Sequence, residues 1–208
     1  MKTTLTIVTA LIIGIVAGYW VTYHQSHTTT PTASSLVNGT LLPADFRTMP
    51  EIALVDQHGQ TFTRQQLTGH WSLLFLGYTH CPDVCPNTLA VLNQMYTALP
   101  HKDRLQVIFI SVDPKRDTPE LLDTYIRYFN QNFIAVTGDD NTLNPLVRTL
   151  GAVYHIDTTQ ATASDYLVDH SASLFLLDPN ANLRAYFPAP HHTQDLLQDI
   201  NTILQQNG

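Results

Sequence analysis

The two cysteines of this 208-residue chain lie four positions apart, in the segment Cys81-Pro-Asp-Val-Cys85. A thiolate is both a nucleophile and a ligand for soft metals, so the close pair indicates that this segment carries chemistry. It directly follows the apolar run 71–78, which is typical of a strand buried on both faces. A helical pattern begins at Pro86, so the thiols are predicted at the carboxyl end of a strand, where open α/β sheets place their sites.

Three kinds of chemistry fit this pair. A structural disulfide suits an oxidising compartment, but closing so short a loop adds little stability. A catalytic dithiol usually has the Cys-x-x-Cys spacing, which is one residue shorter than the spacing found here. A metal site needs further ligands: two thiolates fall short of a four-ligand zinc cage, whereas two sulfurs and one imidazole suit copper.

The predicted helix also bears on the protonation of Cys85. Because free N–H groups and the helix dipole favour an anion at a helix N-terminus, the thiolate form of Cys85 is expected to be favoured. Asp83 opposes this effect, since a nearby carboxylate disfavours a second negative charge, and a bound cation would remove the conflict.

A third ligand would have to come from one of the ten histidines. His170, in the segment Asp169-His170-Ser171, precedes the apolar run 174–177 and has a carboxylate beside it that could orient the ring. An isolated histidine is more often a hydrogen-bonded loop residue than a ligand, so the residues alone leave both interpretations open. The pair His191-His192 is interpreted as the start of a surface helix.

Strands and helices alternate along most of the chain. A small β-hairpin is predicted over residues 53–63, with its turn at Gly59. After it, strands are predicted over residues 71–78, 105–112, 133–137, 166–168, 174–178 and 183–187, and helices over 86–99, 117–129, 143–150 and 192–204. This order predicts an α/β fold with a mixed central sheet, helices on both of its faces and an N-terminal β-hairpin.

The N-terminal residues predict a membrane anchor. Residues 3–23 carry no charge, and about 20 apolar residues are enough for a helix to span a bilayer. The alternative is a cleaved signal peptide, but the apolar run exceeds the about 7–15 residues of a signal core. Lys2 precedes the run, which predicts a cytoplasmic N-terminus and an exported domain, and no transit segment precedes it, which favours a bacterial source.

The chain is thus predicted to have three parts. Residues 1–23 form a single transmembrane anchor, residues 24–50 a flexible tether rich in His, Thr, Ser and Pro, and residues 51–208 the folded domain. The formal net charge of −7, without any cluster of Lys or Arg, argues against a nucleic acid partner.

Four motifs, in one order, carry a resemblance to a known family, the Sco/SenC proteins. They are Phe75-x-Gly77-Tyr-Thr-x-Cys81-Pro-Asp-Val-Cys85-Pro, then Ser111-Val-Asp-Pro-x-Arg116-Asp-Thr118, then Thr137-Gly138, then Tyr166-Leu-Val-Asp-His170-Ser. The resemblance spans residues from about 50 to the C-terminus. It implies a thioredoxin-like, membrane-anchored copper chaperone of cytochrome c oxidase assembly, which is not an enzyme.

The resemblance also implies a set of site residues and partners. Cys81, Cys85 and His170 would be the copper ligands, for Cu(I) and with Cu(II) left open. The recipient would be the binuclear copper site of cytochrome c oxidase subunit II. The expected location is the bacterial inner membrane, with the domain facing the periplasm. Asp113, Arg116 and Asp117 match the second motif and are expected to be structural.

One rival function uses the same two thiols. Cys81 and Cys85 are also redox-active candidates, so the chain could be a thiol–disulfide oxidoreductase that keeps the cysteines of the recipient reduced. Its partners would then include periplasmic thiol reductants, as well as other periplasmic copper carriers. The distinguishing residue is His170, which copper binding requires and thiol exchange does not.

Overall fold

A computed structural model describes residues 14–16, 18–20, 36–156 and 166–206 of the chain. The chain separates into two compact units, residues 1–35 and residues 36–208. In the first unit, residues 14–16 and 18–20 are helical and exposed. Within the described ranges, no helix is both long enough and apolar enough to cross a membrane. Most of the predicted anchor (1–23) and residues 24–35 of the predicted tether lie outside those ranges.

The described residues of the second unit, 36–156 and 166–206, form ten strands. They are β1 (Thr40–Leu41), β2 (Ala53–Asp56), β3 (Thr61–Thr63), β4 (Trp71–Gly77), β5 (Leu105–Ser111), β6 (Ile134–Thr137), β7 (Tyr154–Ile156), β8 (Val168–His170), β9 (Leu174–Leu177) and β10 (Leu183–Phe187). Eight of them form one mixed sheet in the order β1-β10-β9-β4-β5-β6-β2-β3, and β7 and β8 pair separately. The predicted hairpin is confirmed as β2 and β3, with Gly59 in the left-handed region at φ 72°.

Four helices cover the two faces of this sheet. They are α1 (Val84–Ala98), α2 (Pro119–Phe129), α3 (Asp140–Leu150) and α4 (Thr193–Gln206). Apolar residues of α1, α2 and α4 pack in one core cluster, and those of α3 pack in the cluster on the opposite face. The predicted α/β architecture with helices on both faces is therefore confirmed.

The register of the central strands explains why the segments after β4 and β5 meet the segment before β9. β4 and β5 are parallel neighbours, paired from Trp71 opposite Leu105 to Gly77 opposite Ser111. All seven residues of β4 are buried, as the apolar run predicted. The segments that follow β4 and β5 therefore leave the sheet side by side. β9 runs antiparallel to β4, with Leu174 opposite Phe75, so the residues that precede β9 reach the same end of the sheet.

A small two-stranded ribbon positions His170 at this end of the sheet. β8 ends at His170 and pairs antiparallel with β7, so that Tyr154 lies opposite His170. The sequence predicted a strand over residues 166–168, two positions too early, and gave no sign of β7. The short strand β7 has a half-exposed, alternating pattern that does not stand out from a loop.

The prediction of a tether with little structure is wrong for residues 36–50. The backbone N–H groups of Val37, Asn38 and Gly39 donate to the buried carboxylate of Asp199 in α4, at 2.6, 3.0 and 2.9 Å. Strand β1 then pairs with β10, and Met49 is 2% exposed. The partners of this segment, Asp199 and β10, lie far away in the sequence, which is why composition could not predict its attachment.

Candidate metal centre

Three side chains meet at the carboxyl end of β4. The two Sγ atoms of Cys81 and Cys85 and one ring nitrogen of His170 all lie within 4.8 Å of one another. Cys85 Sγ is 3.4 Å from His170 Nε2, and both cysteines are free thiols. Cys85 is fully buried, whereas Cys81 and His170 are half-buried. The three predicted ligands, which are far apart in the sequence, thus lie together in the structure.

Burial controls the protonation of Cys85. Helix α1 begins at Val84, two residues earlier than predicted, so Cys85 lies in its first turn and its N–H donates to Cys81 Sγ at 3.4 Å. Burial raises the pKa of Cys85, and the neighbouring Cys81 raises it further, while a backbone hydrogen bond involving Tyr78 lowers it. The expectation of a favoured thiolate is therefore wrong for this thiol, because desolvation outweighs the helix N-terminus.

Gly77 makes room for the buried thiol. A Cβ atom at this position would lie 2.8 Å from Cys85 Sγ and 2.6 Å from the ring of Phe109. Both distances are well inside normal van der Waals contact, so a side chain here would displace Cys85 from its position opposite His170. The glycine in the first motif is therefore explained by the space that the thiol occupies.

A hydrogen bond at Nδ1 prepares His170 to act as a ligand through Nε2. His170 Nδ1 lies 3.2 Å from the carbonyl oxygen of Ser171, and a carbonyl can only accept. Nδ1 therefore carries the proton, and Nε2 directs its lone pair toward Cys85. Burial lowers the pKa of His170, and its contacts with Ser171 and Asp169 only partly oppose that shift. The ring is thus held neutral, as a metal ligand must be.

Aromatic rings set the plane of this imidazole. The rings of Phe75 and Tyr78 contact His170 edge-to-face, at centroid distances of 6.1 and 5.9 Å. Both aromatic residues belong to β4 or directly follow it, so the strand that leads to the cysteines also orients the histidine.

Asp117 fixes the start of the cysteine loop. Its fully buried carboxylate accepts from the N–H of Thr79 at 2.9 Å, from the hydroxyl of Thr79 at 2.6 Å and from the hydroxyl of Ser111 at 2.5 Å. These bonds tie the loop after β4 to the end of β5 and to the residues before α2. Asp117 is thus a structural residue, as the sequence suggested.

Asp113 and Arg116 fix the approach to His170. The buried carboxylate of Asp113 accepts from the Arg116 side chain and from the hydroxyl of Tyr166, the latter at 2.5 Å. Arg116 also donates to the carbonyl of Tyr166 at 2.9 Å, and its guanidinium lies 3.6 Å from the centroid of that ring. Burial, together with the bond to Asp113, raises the pKa of Tyr166 to about 12. Tyr166 thus stays a neutral donor that locates the residues leading into β8.

Two further histidines lie close to the centre. His80 adjoins Cys81, but its Nδ1 is 2.9 Å from the hydroxyl of Thr79 and its side chain is half exposed. His191 was predicted on a helix surface, whereas the structure half-buries it, with Nε2 2.8 Å from the carbonyl oxygen of Ala172. Its position next to the His170 loop depends on tertiary contacts, so no local sequence signal could have found it.

These features define a class of protein: an α/β domain that holds two thiols and one neutral imidazole at the end of a central strand. Two soft sulfurs and one nitrogen suit a soft metal cation, and the partial exposure of Cys81 leaves one side open to exchange.

Comparison with known proteins agrees with the motifs. The SCO1/SenC family model matches residues 43–205. A protein of Stutzerimonas stutzeri named for copper binding is 40% identical over 169 residues, covering 80% of this chain and 81% of that protein. The chain belongs to the SCO1/SenC family, and the predicted family is confirmed.

Solved structures of relatives show the same fold. The Arabidopsis thaliana ScoI structure with copper bound has a TM-score of 0.70 at 30% identity, covering 76% of this chain and 98% of that one. The yeast Sco1 structure with copper bound has a TM-score of 0.71 at 27% identity, covering 76% of this chain and 89% of that one. The predicted thioredoxin-like fold with a mixed sheet is confirmed.

Proposed function

We propose that this chain is a copper-binding chaperone whose ligands are Cys81, Cys85 and His170. The observation that carries the proposal is the convergence of two Sγ atoms and one imidazole nitrogen within 4.8 Å. This donor set matches Cu(I), which accepts soft, low-coordinate sites, and it is too small for a zinc cage. Two relatives of known structure contain copper, which supports the same ion here.

The centre is suited to releasing its ion. Cys81 is half-buried, so an incoming ligand from a partner can approach the metal from that side. Cys85 is fully buried and would hold the ion until the exchange is complete. A carrier needs this asymmetry, because a fully enclosed site would retain its cargo.

The family and the uncharged N-terminal run support a proposed biological setting. The ion would be delivered to the binuclear copper site of cytochrome c oxidase subunit II during assembly. The uncharged run 3–23 would anchor the chain in the bacterial inner membrane as a single-pass helix, with the domain in the periplasm. The role is transfer of a metal rather than catalysis, so the chain would not be an enzyme.

The test is a Cu(I) competition titration of the reduced full-length protein. We expect one copper per chain, and we expect Cys81→Ser, Cys85→Ser and His170→Ala each to abolish most of the binding. X-ray absorption should count two sulfur neighbours and one nitrogen neighbour. Stoichiometric, tight binding by His170→Ala would show that this histidine is not a ligand. His192→Ala, in which an exposed histidine is removed, is the matched control.

A thiol–disulfide role remains the second candidate, because both cysteines are free and one of them is accessible. The two thiols would reduce a disulfide of the recipient by exchange through a mixed disulfide. The products are a Cys81–Cys85 disulfide and two recipient thiols, so two electrons and two protons pass to the recipient. If His170→Ala supported oxidase assembly in cells as well as the unaltered chain, thiol reduction would be the better account.

A further inference from the structure

Two imidazoles bind consecutive carbonyl groups in the loop that joins β8 to β9. His170 Nδ1 donates to the carbonyl of Ser171 at 3.2 Å, and His191 Nε2 lies 2.8 Å from the carbonyl of Ala172. Since a carbonyl only accepts, His191 must donate through Nε2–H. His191 comes from the segment between β10 and α4, so a second part of the chain holds the loop that aims the third ligand.

The loop has two supports among the described residues, one on each side. On the ribbon side, the N–H of Ser171 donates to the carbonyl of Val153 at 2.9 Å, and the N–H of Val153 donates to the hydroxyl of Ser171 at 2.9 Å. On the other side stands the bond from His191 to Ala172. Removing that bond would leave residues 171–173 held by Ser171 on the ribbon side and by the start of β9, with no described side chain fixing the carbonyl between them.

The burial of His191 is not explained by stability. Its Nδ1 atom is buried and finds no hydrogen-bond partner among the described residues, which is unfavourable for folding. An apolar side chain at this position would avoid that cost but would leave the Ala172 carbonyl without the donor that His191 supplies. The bond from Nε2 to the His170 loop therefore accounts for a histidine at this position, although its Nδ1 atom is buried without a partner among the described residues.

We propose that His191 is a positioning residue of the metal centre, which fixes the His170 loop through Ala172 and so keeps His170 Nε2 directed at Cys85. The inference rests on the proposed copper function, since it assigns His191 a role toward that site. His191 itself would not contact the ion. Its effect would pass through two backbone carbonyls to the ligand.

The variants separate the hydrogen bond from the bulk of the side chain. His191→Leu removes the donor, and a cavity of about 260 Å³ beside His191 leaves space for the new side chain. His191→Gln restores an N–H donor at a similar reach. His192→Leu makes the same chemical change at the exposed neighbour and is the matched control.

The first measurement needs no copper. Hydrogen–deuterium exchange of the reduced full-length protein should show faster exchange over residues 170–174 in His191→Leu, and unchanged exchange in His191→Gln and His192→Leu. The melting temperature of His191→Leu should change little, because the loss of the bond to Ala172 is offset by the removal of the unpaired nitrogen. A large fall would instead indicate a merely structural residue.

The second measurement concerns the loaded protein. We expect the Cu(I) dissociation constant of His191→Leu to rise about tenfold to hundredfold, the range typical of residues that orient a metal ligand. The nitrogen contribution to its X-ray absorption spectrum should weaken, and His191→Gln should restore both. If His191→Leu fails to fold, His191→Asn serves in its place, since its shorter amide cannot reach Ala172.

The two hypotheses fail in different ways. Wild-type exchange over residues 170–174 in folded His191→Leu would overturn the positioning role, whatever the chain binds. Absence of copper binding by the unaltered chain would overturn the proposed function, while the exchange comparison would still decide the role of His191. Weakened binding by His192→Leu to the same extent would also overturn the assignment.

Discussion

The two halves of the metal centre are held in different ways. The cysteine half directly follows β4, a fully buried central strand, and Asp117 holds Thr79 of its loop with hydrogen bonds. The histidine half comes from β8, half of a two-stranded ribbon outside the main sheet. It is held by Tyr166 before the strand and by the loop contacts after His170.

Because of this difference, substitutions in the cysteine half should mainly change the stability of the domain, and those in the histidine half should mainly change its affinity for copper. The cysteine half shares its hydrogen bonds with the core, so damage there should unfold the domain. The histidine half lies outside the main sheet, so damage there should loosen the third ligand first. A carrier that must bind and then release benefits from one rigid half and one that yields.

The largest effect is expected when the support of the cysteine half is removed. Asp117→Ala would remove the shared acceptor of two Thr79 donors and of the buried Ser111 hydroxyl. We expect a loss of about 3 kcal/mol in the free energy of unfolding, measured by urea denaturation. Asp45→Ala, at an exposed carboxylate, is the control. A loss no larger than that of the Tyr166→Phe variant of the histidine half would show that the two halves are supported alike.

A smaller and more local effect is expected in the histidine half. Tyr166→Phe removes the hydroxyl that donates to Asp113 while the ring remains against Arg116. The cost is about 1.5 kcal/mol, the range for a bond to a charged acceptor, and faster hydrogen exchange should be confined to β8. Tyr128→Phe, at an exposed ring, should change nothing. Faster exchange throughout β4 would contradict the independence of the halves.

The smallest effect is the pH dependence of copper binding, which compares the two halves directly. Cys85 has a raised pKa and must lose its proton to bind, whereas His170 has a lowered pKa and is already neutral at neutral pH. Affinity should therefore rise with pH, by about tenfold or 1.4 kcal/mol per unit for the Cys85 proton. Titrations between about pH 7 and 8 test this, above the ordinary pKa of histidine. Affinity independent of pH would mean that Cys85 is already a thiolate.

Much of the fold and of the candidate site follows from local sequence. The strand 71–78, the α1 helix and the hairpin turn at Gly59 have strong apolar periods or turn residues, and all three are present. The Cys81–Cys85 pair was evident from spacing, and the motif resemblance singled out His170. These features are encoded within short segments, so periodicity and spacing are enough to find them.

The rest depends on contacts between distant segments. Residues 36–50 looked like a linker because their attachment to Asp199 has no local signature. The protonation of Cys85 was predicted from its helix, but burial on all sides decides it. In the turn after Asp178, the left-handed residue is Ala181 at φ 59°, although asparagine at either neighbouring position suits that region better.

The three N–H groups that converge on Asp199 also have a mechanical meaning. Tension applied to the chain through residues 1–35 reaches the folded domain first at Val37, Asn38 and Gly39. The carboxylate passes that load into helix α4, whose packing against α1 spreads it through the core. A pull at residues 37–39 would thus be resisted by hydrogen bonds to a buried carboxylate and by helix packing rather than by one strand at the edge of the sheet.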